Sequence, residues 1–590
     1  MATETLVSPG VLLQEVDKSF INPGTDPSGL AIIGPAVKGP VEVPTLIRNF
    51  NEYKEVYGTT FEEASQGYEY FTSLAARNYF KEGGSSLLVV RVVSGSSNWE
   101  YAGNTHISAS AKASTQPFTL QTIGEGELLN NALALTSAPE QFAGGILKSG
   151  SRDNFKWEIG NVNEKSGTFS LIVRRGDDSA AKPVILEQFT GLSLDPLAPN
   201  YVAKAIGDQK VTKNSDADGV IVTGEYPNKS RYIRVNTVNL PTYEYSINNA
   251  VQTDGASVSY SGSLPTAQSG AFFGGVGSLK HATEDGDFGA DAGSTTEGAS
   301  VNIQGLKVDD YDDAISILTN KEEFKFKTLV VPGLNQEHHS AKIATIISNT
   351  ETRGDSMFLV DPVSYGTTTL STVTTETEEL DTSFAASYWP WAQVPSVDLG
   401  RNVWVPASVV MPGVYAKNDS IAAPWFAPAG NTRGKLSSVA KVEMKLSKAQ
   451  RDTLYVSKVN PLATFPGKGV VAFGQKTLQQ ADSALNRVNV RRLLLDVKDT
   501  INGFSRKLVF EQNTAETRQR FLRKVNPYLS NLVQRQGLYA YQVKMDGQLN
   551  TSDVIDQNQL LGQVFLQPTK TAEFIALDFV ITPTGAQFTD

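Results

Sequence analysis

LAIIGPAVKGPVEVPTLI, residues 30–47, reads as two strands on either side of a Gly-Pro turn, and LLVVRVV, residues 87–93, reads as a third. The last string is apolar without alternation, the pattern of a strand covered on both faces. Between them Tyr68, Phe71, Leu74, Ala75, Tyr79 and Phe80 recur at helical spacing, so an amphipathic helix is expected to lie across the strands. Strand, helix and strand in that order pack as layers around one core, which predicts a mixed α/β unit.

The alternation returns late in the chain. DDYDDAISIL, residues 309–318, carries acidic residues where a helix N-terminus favours them, and KFKTLVVPG follows as a strand. HSAKIATIISNTE then reads as a helix and SMFLVDPV as another strand, so this return is expected to complete the first sheet. Between the two halves FKWEIGNV, GTFSLIVRR, KPVILEQF and RYIRVNTV are short strands separated by Gly, Ser, Asn and Thr, and residues 257–298 read as a long surface loop. The expected fold class is α+β multidomain: a discontinuous mixed α/β core with a β-rich insertion and extended terminal arms.

The C-terminal block is the most regular. Val490, Leu493, Leu494, Val497, Ile501, Phe504 and Leu508 keep one helix face apolar, which leaves Arg492, Asp499 and Arg506 on the outward face. A second helix is announced by Asn513 with Glu516 three residues on, turns Phe521, Val525, Leu529 and Leu532 inward with Arg520 and Arg523 pointing away, and ends at Gly537. LYAYQVKM and VFLQPT follow, and TAEFIALDFVI, residues 571–581, is a strand too apolar for an open edge. Past Pro583 only a polar tail follows, so this strand is expected to pair with another copy of the chain.

At 590 residues the chain exceeds what a single core sustains, and 40% hydrophobic with 19% charged residues is the balance of a folded protein. It contains no cysteine, which excludes disulfides, thiolate metal sites and cysteine nucleophiles. Four histidines leave little room for zinc, so neither a metal nor a cofactor is expected. The start MATETLVSPGVLLQEV lacks the basic and apolar segments of a signal peptide, and no apolar run approaches membrane length; a soluble protein made in a cytoplasm is the expectation. Net charge is −10, but residues 431–544 carry 21 Lys and Arg against 7 Asp and Glu, leaving 31 against 55 elsewhere. The chain is electrically two-sided, which points to an acidic partner for the basic block.

Strings that suggest catalysis fail on context. DFG at 287–289 has no HRD loop or glycine-rich lid before it, and GGVG at 274–277 lacks the third glycine and preceding strand of a dinucleotide site. His338 and His339 are adjacent and point to different faces. Asp285, Asp287 and Asp291 lack the spacing of a calcium loop. RGD occurs twice, at 175–177 and 353–355, as surface residue types. Nucleic-acid binding would suit the basic block, but no aromatic interleaving accompanies it, so a protein partner is favoured.

PGVLLQEVD (9–17), GPAVKGPVEVPTLI (34–47), FNEYKEVYG (50–58), YWPW (388–391), VPASVVMPGVYAKNDS (405–420) and APWFAPAGNTRG (423–434) occur in that order. RRLLLDVKDTI, FEQNTAETRQRFLRKVNPYL and QGLYAYQVKMD close the series. Together they resemble the contractile tail sheath proteins of myophages, over both ends of the chain and from about residue 388 onward. FKWEIGNVN with FSLIVRRGDD resembles the T4-like branch.

The resemblance implies a non-enzymatic structural subunit that forms stacked six-subunit rings, a helical sleeve around an inner tail tube. The sleeve would relax from a metastable extended state and drive the tube through a host envelope. It implies an N-terminal arm at 1–20, a middle domain at 21–95 and 301–430, and an outer β-rich insertion at 96–300. An inner domain at 431–575 would face the tube, and 576–590 would form the C-terminal arm. Strand exchange between subunits would use Val11, Leu12, Leu13, Val16, Phe579, Ile581, Thr582 and Phe588. Pro9, Gly10, Pro23, Gly24 and Pro27 are candidate hinges, and Arg492, Arg506, Arg520 and Arg523 would contact the tube. Baseplate and tail-terminator proteins would be further partners, with no nucleic acid and no membrane bound directly, in a virion assembled in the host cytoplasm. The alternatives are an adhesion or enzymatic tail component and the sheath of a related phage-derived injection system.

Overall fold

The computed structural model describes residues 28–63, 66–95, 98–103, 107–109, 116–132, 146–214, 219–242, 263–279 and 304–573. The eight strand-exchange residues, the five candidate hinge residues, the DFG string and the acidic cluster at 285–291 lie outside these.

The centre is an eight-stranded sheet assembled from both halves of the chain. Its strands are β1 (Ser28–Gly34), β2 (Thr45–Ile47), β3 (Leu87–Arg91), β4 (Phe326–Asn335), β5 (Met357–Asp361), β6 (Ala385–Trp389), β7 (Val459–Phe465) and β8 (Gly469–Ala472). They lie in the order β2, β3, β1, β4, β5, β6, β7, β8. All neighbours run parallel except the two edge pairs, β2 with β3 and β7 with β8, which are antiparallel. The early and late halves join where Ile32 of β1 stands opposite Val330 of β4.

Parallel strands need both faces covered, and the pleat supplies two apolar faces from one continuous run. Leu30 and Ile32 face a core with helices α1 (Phe71–Lys81) and α3 (Ala407–Ile421), while Ala31 and Ile33 face the opposite core with α2 (Gln336–Arg353). On the first face α1 contributes Phe71, Leu74, Ala75 and Tyr79; on the second α2 contributes Ile343 and Ile346. Each such buried leucine, isoleucine or phenylalanine contributes about 2 kcal/mol of apolar transfer.

The sheet continues past residue 430: β7 and β8 belong to it, followed in space by α4 (Lys448–Val456) against β7. Residues 459–472 therefore add two strands to the main sheet from beyond residue 430, where the inner domain was expected to begin. The reason is that net charge changes near residue 430 while hydrogen-bonded strand order does not.

The insertion has its own core of Phe118, Trp157, Phe169, Leu171, Val173 and Ile233 among others, between a four-stranded and a three-stranded sheet. Arg91, fully buried at the end of β3, ties it to the main sheet. Its guanidinium donates to Ala36 O at 3.0 Å, Gly39 O at 2.6 Å and Glu125 O at 3.0 Å, and lies over the Trp99 ring. Burial pushes this guanidinium down to about 10. Gly39 can present its carbonyl because its φ is 101° and an added Cβ would meet the Tyr57 ring at 2.8 Å.

Candidate assembly interface

Two helices and a hairpin form the C-terminal module. Helix α5 (Val488–Ser505) runs into a short 3-10 turn, α6 (Ala515–Gln534) returns, and strands β9 (Leu538–Lys544) and β10 (Gln563–Pro568) pair antiparallel. The cap of α6 is Thr514, whose Oγ1 accepts from Thr517 N at 3.3 Å, and not Asn513, whose Nδ2 donates to Gln559 O at 2.8 Å. Phe521, Val525, Leu529 and Leu532 do turn inward, against Leu493 and Val497 of α5 and against Trp425.

The first half of α5 is packed between two cores, with only Leu494 and Asp496 partly exposed. Val488 and Leu495 join the core of the main sheet, while Leu493 and Val497 join the C-terminal core. Arg492 is consequently buried, not outward. It donates to Asp419 at 2.5 Å and lies 4.6 Å from the Tyr415 ring centre. A helix wedged between two cores keeps only a narrow exposed strip over those turns, at Leu494 and Asp496, which the one-sided apolar stripe does not reveal. Arg491 is also buried, over the Phe384 ring at 3.6 Å, and burial pushes it down to about 10.

Arg506, Arg520 and Arg523 are exposed on the same end of the module, Arg520 pairing with Glu511 at 2.8 Å. Between the two helices Phe510 is fully exposed with φ +68°, beside Val509, which is 61% exposed. The sequence reading missed this knob because an apolar pair just past a helix end reads as the helix's own last contact.

The β9 and β10 hairpin is a two-stranded sheet, and among the described residues neither outer edge pairs with another strand. Tyr541, Val543, Val564 and Leu566 pack inward, whereas Tyr539 and Phe565 remain 62% and 48% exposed. Two-stranded sheets are marginal alone, and open edges with exposed aromatic residues are templates for a further strand. Residues 571–573, expected to begin a strand, carry no strand pairing.

Features that suggested chemistry have structural partners. Arg353 of the second RGD is buried, pairs with Asp355 at 3.0 Å and donates to Phe324 O at 2.8 Å. Arg175 of the first pairs with its own Asp177. His339 is buried in α2, accepts from Asn335 N at 3.2 Å, and is pushed down to about 4 by burial and by neighbouring His338. Among the described residues no three metal-ligating side chains converge, and no helix is long and apolar enough to cross a membrane.

Residues 304–478 match the family model of the phage tail sheath protein central domain, and 480–582 that of the phage tail sheath C-terminal domain. The tail sheath protein of Vibrio phage KVP40 is 37% identical over 190 residues, 32% of this chain and 28% of the relative. That of Enterobacteria phage T4 is 37% identical over 187 residues, with the same shares. The chain thus spans 28% of the length of these curated relatives. The crystal structure of a sheath tail protein from Listeria innocua shares the fold at a TM-score of 0.52 and 10% identity, covering 92% of this chain and 95% of that one.

Proposed function

Over residues 304–478 and 480–582 the chain belongs to the phage tail sheath family, and from that premise we propose that it is the structural subunit of a contractile tail sheath. The observation that carries the reading is the open hairpin: β9 and β10 have exposed edges beside an exposed basic surface, on the module that matches the family's C-terminal domain. Subunits polymerise by adding strands from neighbouring arms to this hairpin, and head-to-tail contacts of that kind build helical filaments. Residues 11–16 and 579–588 are the donated segments.

The sleeve surrounds an inner tail tube, with Arg506, Arg520 and Arg523 toward it, and ends at baseplate and terminator proteins. Arg492 is withdrawn from this set by its burial against Asp419. Work comes from a metastable extended lattice relaxing to a contracted one, without catalysis by the subunit. Assembly takes place in the host cytoplasm, and the product is a virion tail. An adhesion role through the second RGD is disfavoured because Arg353 is buried, and in the first Arg175 is paired with its own Asp177.

Electron microscopy of the purified protein tests the reading, with striated tubes or sleeves expected. Deleting the last ~10 residues, about the length of one strand, should abolish them; normal sleeves from that truncation would sink strand donation.

A further inference from the structure

Residues 569–573 form a strap that leaves the hairpin and crosses to the edge of the main sheet. At its start Thr569 N donates to Gly537 O at 3.2 Å and Thr569 Oγ1 to Gln536 O at 2.8 Å. At its end Glu573 is held from three directions. Arg487, just before α5, donates from Nε and Nη2 to its two carboxylate oxygens at 2.8 and 3.0 Å. The Tyr455 hydroxyl of α4 donates to Oε2 at 2.8 Å. Gln475, just past β8, donates to Oε1 at 3.0 Å and to Thr571 Oγ1 at 2.6 Å.

No comparable apolar contact secures the strap. Lys570 and Ala572 are exposed, and a cleft of about 580 Å³ opens between the strap and residues 482–490. The polar latch therefore holds it, and it joins the hairpin's exit to α4, to the end of β8 and to the start of α5.

We propose that Glu573 is the positioning residue at the root of the C-terminal arm. The chain up to Glu573 stays with its own subunit, and the latch sets the direction in which the following segment leaves. The arm's destination rests on the sheath reading; the latch does not. A bidentate charged pair suits this place because it fixes orientation as well as position, so a rigid-body movement of the subunit is passed to the arm without slack.

The test uses the full-length protein, with hydrogen exchange of residues 569–573 and electron microscopy of sleeves. Glu573→Ala should raise exchange of the Thr569 amide, the strap amide bonded to Gly537 O, by about ten- to hundredfold, the loss expected for charge-assisted hydrogen bonds. It should also give short or disordered sleeves, with the melting temperature of the main transition unchanged. Glu573→Asp should restore part of both, and Arg487→Ala should reproduce the alanine phenotype. Wild-type exchange in Glu573→Ala would overturn the latch. Raised exchange with sleeves of wild-type length and order would overturn its role as the arm's root. If the wild-type protein forms no sleeves, the sheath reading fails, while the exchange result still decides whether the latch exists.

Discussion

Arg492 and Arg506 lie on one helical segment and have opposite environments. Arg492 is buried against Asp419 and Tyr415; Arg506 is exposed at the helix end. Arg492→Ala leaves Asp419 without its partner and a void beside Tyr415, at a cost of about 2 kcal/mol after allowing for the partial exposure of Asp419. Arg506→Ala should change stability by less than about 0.5 kcal/mol. Chemical denaturation of the two variants checks the contrast, and equal effects would contradict the burial. Asp361 offers a second test at this scale. It is buried at the end of β5, accepts from Ser408 N at 3.0 Å and from the Ser408 hydroxyl, and caps α3 where Pro406 has no acceptor side chain. Burial raises its carboxyl to about 7 against the hydrogen bonds from Ser408. Between about pH 4, where the unfolded carboxyl titrates, and about pH 7, the folded state keeps a proton that the unfolded state has lost. This group's contribution to stability therefore falls as pH rises through that window. Asp361→Asn should flatten that slope in melting curves; an unchanged slope would assign it to other groups.

Among the elements, the C-terminal module depends on α6, whose Leu529 is wholly buried. Leu529→Ala should cost about 3 kcal/mol through lost transfer energy and the cavity left behind. The loss should appear as faster amide exchange across residues 515–545, with the α/β sheet unaffected. The apolar faces of both helices were legible from their spacing, because the i, i+3, i+4 pattern is written within a few turns. Two features escaped it. The cap fell on Thr514 instead of Asn513 because both residue types can cap, and the choice depends on where the preceding chain enters. The first turns of α5 are enclosed by a second core, Val488 and Leu495 against the sheet, which no single-helix pattern records.

At the scale of the whole molecule, the excess of basic residues falls in one stretch of the chain, 431–544. Reversing the three exposed arginines together, Arg506→Glu, Arg520→Glu and Arg523→Glu, should leave the fold intact, apart from up to about 1 kcal/mol from the Arg520–Glu511 pair. On the proposed tube contact, it should abolish co-sedimentation with tail tubes. Wild-type association should weaken steeply with added salt, as expected for exposed charges. Undiminished tube association by the triple variant would remove these residues from the interface.

The sequence by itself determined the residue classes of this protein: the two-sided apolar strands, the amphipathic helices and the absence of thiol chemistry. Each is encoded in runs of neighbouring residues or in composition, where local sterics and hydrophobic periodicity suffice. Only the tertiary structure decided that β7 and β8 extend the sheet past residue 430, that Arg492 is enclosed while Arg506 is not, and that Glu573 meets Arg487. Those outcomes depend on which elements are brought together. Arg487 and Glu573 are separated by 86 positions, and their meeting follows from the path of the chain through α5, α6 and the hairpin. Burial and pairing are properties of the packed neighbourhood, so a charged residue's role is set by packing and not by its local pattern.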